Sequence, residues 1–165
     1  RDECINLLFE IARVRDIQLV IKAHTRGTGS LNNDELDQLS KFSNVEIADD
    51  LYHSAKLIKR ADIIVNFGSS IGFEAIYQGK AICNPTFLHE NETFFDGSGV
   101  VFDAKDCDTV VRFIERVRSS GRPKTGEQTK ANFVTERIYG GRENCDVLNE
   151  YLKLLSSIDN TDRKI

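Results

Sequence analysis

The chain has 165 residues, of which 40% are hydrophobic and 29% are charged, and its formal net charge is -4. This length is enough for one domain with its own hydrophobic core. The acidic balance gives no reason to expect nucleic acid as a partner. The cysteines Cys4, Cys83, Cys107 and Cys145 are far apart and form no CxxC pair. Neither a zinc site nor a disulfide framework is indicated, so free thiols in a reducing cytoplasm are expected.

Membrane and export signals are not visible in the sequence. No apolar stretch approaches the roughly 20 residues that a membrane span needs, and the amino terminus has no signal-peptide core. We therefore expect a cytoplasmic location. The chain begins at Arg1 and contains no methionine, which predicts that it is part of a longer protein.

The predicted elements alternate between helices and strands. The first part contains a helix over 4–14, a strand over 17–23, a helix over 33–42, a strand over 44–48 and a helix over 51–60. A strand over 63–65, a helix over 71–78, a strand from 81, a polar loop over 86–99, a strand over 100–102 and a helix over 106–119 follow. We expect one domain over 1–123, with 124–165 as its helical extension.

About five strands alternating with helices predict an α/β fold, with an open parallel sheet covered by helices on both faces and a helical carboxyl-terminal tail. Such a Rossmann-like sheet binds its ligands at the carboxyl ends of the strands. His24 and Arg26 follow the first strand, Ser69 and Ser70 follow the third, and the loop 86–99 follows the fourth. These residues are therefore expected at one edge of the sheet.

The stretch 61–85, ADIIVNFGSSIGFEAIYQGKAICNP, reads as strand, tight turn, helix and strand. A helix that starts at Ser70 leaves backbone N–H groups unpaired at the positive end of its dipole, which suits an anion such as phosphate. Gly72 leaves room for close approach of a ligand. Glu74 lies one helical turn after Ser70 on the same face, where it would meet ribose hydroxyls attached to the phosphate.

Simpler interpretations of these residues stay open. Ser70 would also serve as an ordinary helix cap, and Glu74 as a solvated acid that suits the helix dipole. His24 is either a donor to the ligand or a structural histidine at a strand end. His89 and Glu90 lie in the long polar loop and either contact a ligand or occur there by chance.

The order and spacing of three motifs resemble the carboxyl-terminal nucleotide-binding domain of GT-B glycosyltransferases over about residues 17–117. The motifs are KAHTR at 22–26, SSIGFEA at 69–75 and GKAICNP at 79–85. The likeness is greatest to enzymes of bacterial capsule and surface-polysaccharide biosynthesis of the sialyltransferase, Kdo-transferase and glycerophosphotransferase types. It extends more loosely to sugar-nucleotide 2-epimerases.

The resemblance implies roles for individual residues. In those families a His-Pro dipeptide and a Ser-Ser or Ser-Thr pair contact the donor phosphates, so His24 takes the histidine role as the catalytic residue, and Ser69 and Ser70 take the serine roles. Glu74 matches the acidic residue that holds the donor ribose. Thr25 departs from the pattern, because it stands where those families have proline.

The resemblance also implies partners. The donor would be a nucleotide-sugar and the acceptor a glycan or lipid-linked glycan, with no metal and no separate cofactor. An amino-terminal acceptor-binding domain would complete the site, and the full-length protein would be able to associate peripherally with a membrane. Two other functions remain open: a sugar-nucleotide epimerase or hydrolase, and a non-catalytic structural α/β module.

Overall fold

The computed structural model describes residues 2–23, 31–49, 51–121, 126–142, 146 and 149–150. The chain divides into two compact units, Arg1–Thr125 and Gly126–Ile165. His24 and Arg26 lie outside the described residues, as does most of the predicted terminal helix. Within the described part, no helix is both long enough and apolar enough to cross a membrane.

The first unit alternates helices and strands in the predicted order. Its elements are α1 (Asp2–Ala12), β1 (Leu19–Ile21), α2 (Asn33–Leu39), β2 (Val45–Ile47), α3 (Ser54–Arg60), β3 (Ile63–Val65), α4 (Ile71–Tyr77), β4 (Ala81–Pro85), a 3₁₀ turn (Thr86–Leu88), β5 (Phe102–Ala104) and α5 (Cys107–Ser120). The second unit contains α6 (Glu127–Arg137). The last strand was expected at 100–102 and lies two residues further along the chain.

The strands pair in parallel, which confirms the predicted α/β class with open parallel pairing. They form two sheets, however, and not one continuous sheet: β1 pairs with β2, and β4 lies between β3 and β5. Side-chain packing connects the two sheets, because Leu19 of β1 packs against two core clusters. One is the main core cluster, which includes Val110 and Phe113, and the other contains Leu8, Ile21 and Leu39. The five predicted strands are therefore present, but the ladder between β1 and β3 is missing among the described residues.

The middle strand β4 is buried on both faces, since all five of its residues are buried. Ala81 and Cys83 pack into the main core cluster with residues of α1 and α5. Successive side chains of a strand point to opposite faces, so Ile82 and Asn84 face the side where α4 contacts β4. Helices therefore cover both faces of this sheet, as the sequence predicts.

Local hydrogen bonds fix where the helices begin and end. Asp106 accepts from the backbone N–H of Thr109 at 2.7 Å and begins α5. His53 precedes α3 and accepts from the N–H of Ala55 at 3.3 Å, so it caps the amino-terminal end of this helix. At the other end of α3, the Lys80 ammonium donates to the carbonyls of Lys59 and Ala61, each at 2.8 Å.

Candidate functional site

Residues 66–70, which we call the serine turn, connect β3 to α4. The side-chain oxygen of Asn66 accepts from the backbone N–H of Ser69 at 3.2 Å. Gly68 has a φ of +72°, a conformation that glycine adopts without the steric cost of a Cβ atom. These two features hold the two serines at the carboxyl end of β3, in the place predicted for them.

Ser70 occupies the position before α4, but it does not act as a side-chain cap. Its backbone is helical, with φ -58° and ψ -15°, and its hydroxyl makes no capping hydrogen bond. The hydroxyl of Ser69 accepts from the N–H of Ile71 at 3.5 Å, the limit of a hydrogen bond. The first turn of α4 is closed instead by backbone bonds from Gly72 to Ser69 and from Phe73 to Ser70, each 3.1 Å long. The hydroxyl of the exposed Ser70 therefore takes no part in capping α4.

Glu74 lies one turn after Ser70 and is half-buried. Its side-chain oxygen Oε1 accepts from the amide of Gln78 at 3.2 Å. This contact runs along the helix and keeps the carboxylate against α4. Glu74 therefore lies on α4 one turn after Ser70, as expected, while its carboxylate contacts Gln78 on the side away from the serines.

Gly72 is buried, and the protein itself fills the space beside it. A Cβ atom at this position would lie 2.7 Å from Cζ of Phe95 and 2.8 Å from Nδ2 of Asn66. The glycine is therefore required by the packing of these two side chains. The room for a ligand that the sequence suggests beside Gly72 is therefore occupied by Phe95 and Asn66 in this structure.

Three polar side chains, which we call the polar row, lie side by side across the end of the three-stranded sheet: Asn66, Asn84 and Asp103. Asn84 is paired in register with Asp103. The backbone N–H of Asn66 donates to the carbonyl of Cys83 at 2.9 Å, which extends the β3–β4 ladder by one residue. Asn66 and Asn84 are almost fully buried, with 2% and 0% of their surface exposed.

The polar row holds the loop 93–97. The amide of Asn84 donates to Asp96 at 2.9 Å and to Asp103 at 3.0 Å. Asp103 in turn accepts from the backbone N–H of Gly97 at 2.8 Å, and the hydroxyl of Thr93 donates to Asp96. Burial raises the pKa of Asp96, but the hydrogen bonds from Thr93 and Asn84 outweigh it, so the pKa lies below its usual value.

His89 and Glu90 follow the 3₁₀ turn, in the loop after β4. Nδ1 of His89 lies 3.0 Å from the carbonyl of Asn91, while Nε2 is buried and has no hydrogen-bond partner among the described residues. Glu90 is exposed. In the part of the chain that the structure describes, no group of three or more His, Cys, Asp or Glu side chains is placed to hold a metal ion.

Two exposed phenylalanines lie beside the serine turn. Phe67 within the turn is 41% exposed, and Phe94 of the loop is 64% exposed. The ring of Phe94 lies 6.3 Å from that of Phe73 in α4, and the buried ring of Phe95 lies 4.9 Å from the same ring. The two loops therefore present exposed aromatic side chains near the first turn of α4.

The structure thus brings Ser69, Ser70, Gly72 and Glu74 together at the start of α4. Sequence reasoning missed the polar row and Asp96, although Asn84 gives a signal, since it interrupts an otherwise apolar strand. A shallow depression of about 570 Å³ lies elsewhere, at the carboxyl-terminal end of α4, and is lined by Ala55, Lys56, Lys59, Gln78 and Lys80. It contains none of the predicted site residues, so we base the candidate site on the serine turn and not on this depression.

Comparison with known proteins adds no identification. No protein-family model matches the chain, and no curated protein matches it. The likeness to the nucleotide-binding domain of GT-B enzymes therefore depends on the three sequence motifs.

Proposed function

We propose that this chain is the donor-binding half of a GT-B type glycosyltransferase that uses a nucleotide-sugar, in surface or capsular polysaccharide biosynthesis. The observation that supports this most directly is the uncommitted hydroxyl of Ser70 at the carboxyl end of a parallel strand, with Glu74 one turn further along α4. Ligands of open parallel sheets bind at this edge. In the proposed complex the serines contact the donor phosphates and Glu74 contacts the ribose.

The proposed chemistry is stabilisation of a leaving phosphate. Transfer of the sugar leaves negative charge on the nucleotide phosphates, and preorganised donors aimed at those oxygens lower the barrier. Ser69 and Ser70 would supply hydroxyl donors. By the resemblance, His24 would donate a hydrogen bond or proton to the leaving phosphate, and Arg26 would add positive charge. The proposed reaction uses no metal and no separate cofactor.

The proposal also concerns the rest of the enzyme. A further, amino-terminal domain would bind the glycan or lipid-linked acceptor and supply the general base that activates it. The enzyme would act in the cytoplasm, and the full-length protein would associate peripherally with a membrane. Of the loop residues, His89 and Glu90 are proposed to contact the donor sugar or the acceptor.

Among the described residues, no contact favours the epimerase or hydrolase alternative, which needs additional carboxylates around the same phosphate site. The carboxylate of Asp49 accepts from the backbone N–H of Leu51 at 2.7 Å and so stabilises its own turn. Glu90 and Glu92 are exposed loop residues. The carboxylates of Asp96 and Asp103 both accept hydrogen bonds from Asn84, and Asp103 also accepts from Gly97 in the loop 93–97.

A thermal-shift panel of CMP, CDP, UDP, GDP and their sugar conjugates tests the proposal. A ligand present at one hundred times its dissociation constant stabilises the folded protein by about 2.7 kcal/mol. Ser70→Ala and Glu74→Ala should each reduce the shift, whereas Ser54→Ala, which changes a serine at the start of α3, should leave it unchanged. A shift of equal size in all these variants would place the ligand elsewhere, and the proposal would fail.

A further inference from the structure

The polar row lies directly beneath both loops of the candidate site. Adjacent strands of a sheet are about 4.8 Å apart, and Asn66, Asn84 and Asp103 occupy neighbouring positions on β3, β4 and β5. Val65, Cys83 and Phe102, the preceding residues of the same strands, contact the main core cluster on the other face. The row therefore forms the polar layer between the sheet and the loops on the α4 side.

Each end of the row holds one loop. Asn66 accepts from Ser69 and so fixes the serine turn. Asn84 and Asp103 bind the carboxylate of Asp96 and the N–H of Gly97, and so fix the loop 93–97.

The two loops also meet above the row. Nδ2 of Asn66 and Cζ of Phe95 lie 2.8 Å and 2.7 Å from one point, the position of a Cβ at Gly72. Thr93 approaches the serine turn as well, since its methyl group lies 3.7 Å from the corresponding point at Gly68. Asn66 and Phe95 therefore share the space beside Gly72, and a displacement of Asn66 would change the space that is open to Phe95.

Each of the two asparagines pairs only part of its side-chain amide. Nδ2 of Asn66 and Oδ1 of Asn84 are buried and have no hydrogen-bond partner among the described residues, and burial of an unpaired polar atom costs stability. The other amide atom of each side chain makes the bonds to Ser69, Asp96 and Asp103 that hold the two loops. The two asparagines therefore fix the geometry of the loops although part of each amide is unpaired.

We propose that Asn66 and Asn84 are positioning residues, which couple the serine turn to the loop 93–97 so that both loops hold the phosphate-bearing ligand in one arrangement. The coupling is inferred from the contacts within the protein, whereas the positioning of a ligand rests on the proposed function. Neither residue contacts the ligand in this proposal, because both side chains are buried beneath the loops.

Hydrogen exchange of backbone amides, measured by NMR on the full chain, tests the coupling. Asn66→Ala changes the serine turn, and we expect exchange at Asp96 and Gly97 in the other loop to become about tenfold faster. Val110→Ala is the control, because Val110 is buried in the core cluster on the opposite face. If exchange at Asp96 and Gly97 rises no more in Asn66→Ala than in this control, the coupling is refuted.

A second variant tests the reverse direction and guards against a failure of Asn66→Ala to fold. Asp103→Asn keeps the size of the side chain while weakening its bonds to Asn84 and Gly97. We expect faster exchange at the Ser69 amide, which lies on the other loop. An unchanged rate at Ser69, with faster exchange confined to Gly97, would refute the coupling.

Binding of UDP and of CMP by the same proteins separates this inference from the proposed function. If the coupling positions the site, Asn66→Ala and Asp103→Asn should each weaken nucleotide binding by about tenfold or more, while Val110→Ala should not. If the wild-type chain binds neither of these nucleotides, nor CDP or GDP, the proposed function fails and the exchange rates still decide the coupling. If the wild-type chain binds and the variants bind equally well, the positioning role fails and the proposed function stands.

Discussion

Gly72 lies so close to Phe95 that a Cβ atom at the glycine would be 2.7 Å from Cζ of the ring. Real Cβ contacts essentially never come below 3.0 Å. Phe95 is 2% exposed and is also packed against Phe73, so it has little space into which it can move. The loop 93–97 can therefore lie on α4 only where the helix has no side chain.

Gly72→Ala is expected to destabilise the protein by about 1–3 kcal/mol, the usual cost of overpacking a core. In an exposed helix the same change would be favourable by roughly 1 kcal/mol, so the sign of the effect is diagnostic. The free energy of unfolding in urea measures it. In a Phe95→Leu background the cost of Gly72→Ala should fall. If Gly72→Ala alone were as stable as the wild-type protein or more stable, the close packing of Phe95 on Gly72 would be contradicted.

Ser70→Ala should leave the stability of the free protein within about 0.5 kcal/mol of wild type, because the hydroxyl makes no capping bond. Asn32→Ala provides the comparison. Asn32 accepts from the N–H of Glu35 at 2.8 Å and forms a capping box with it, so its loss should cost about 1 kcal/mol. Urea unfolding of the two variants decides the matter, and an equal loss in both would mean that Ser70 caps α4 after all.

Asp96 makes stability dependent on pH in the acidic range. Hydrogen bonds from Thr93 and Asn84 hold its pKa below the usual value despite the opposing effect of burial. The stabilisation is therefore fully present above the pKa of an unfolded aspartate, about 3.9, and is lost as the pH falls through the lower folded pKa.

Unfolding midpoints measured from about pH 6 to pH 2 should show this loss, and Asp96→Asn should show less of it. Asp106 contributes to the same acid range in both proteins, since hydrogen bonds from Thr109 lower its pKa too. The difference between the wild-type and Asp96→Asn curves therefore measures how much the ionisation of Asp96 contributes to stability. Parallel curves would show that its ionisation does not stabilise the loop.

Cys83 is expected to be unreactive in the folded protein. Burial, with a smaller effect of the charge on Asp103, raises the pKa of its thiol to about 12, so at pH 8 about one thiol in ten thousand is ionised. Cys4 and Cys107 are partly exposed and should react faster with iodoacetamide, as peptide mass spectrometry would show. Denaturant should remove the difference. Equal labelling of Cys83 and Cys4 without denaturant would contradict the buried position.

Local patterns in the sequence predict much of the fold. The apolar, β-branched run Ile63–Val65 is predicted and observed as a strand with the same bounds, and the helix expected over 71–78 is observed as Ile71–Tyr77. These elements follow from residues close together in the chain. The position of the last strand is not predicted correctly. The apolar pair Val100 and Val101 favours a strand at 100–102, whereas the observed strand lies two residues further along and contains a half-buried aspartate, Asp103.

The candidate site is predictable only in part, because the sequence shows its local elements but not its contacts between residues far apart in the chain. The serine turn and Glu74 are local and are found where they are expected. The polar row depends on the register between strands, and Asn84 meets Asp96 and Asp103 at separations of 12 and 19 residues. A single sequence does not encode such pairings in a periodic pattern, so the row becomes visible only in the fold.

The order Asn84-Pro85 at the end of β4 bears on how the protein ages chemically. Asparagine deamidates when the backbone nitrogen of the next residue attacks its side-chain carbonyl, and proline has no N–H with which to do so. Deamidation of Asn84 would place a third carboxylate against Asp96 and Asp103 and would remove the donor that both of them share. Pro85 therefore protects the amide that donates to Asp96 and Asp103 from a slow covalent change that would remove these hydrogen bonds.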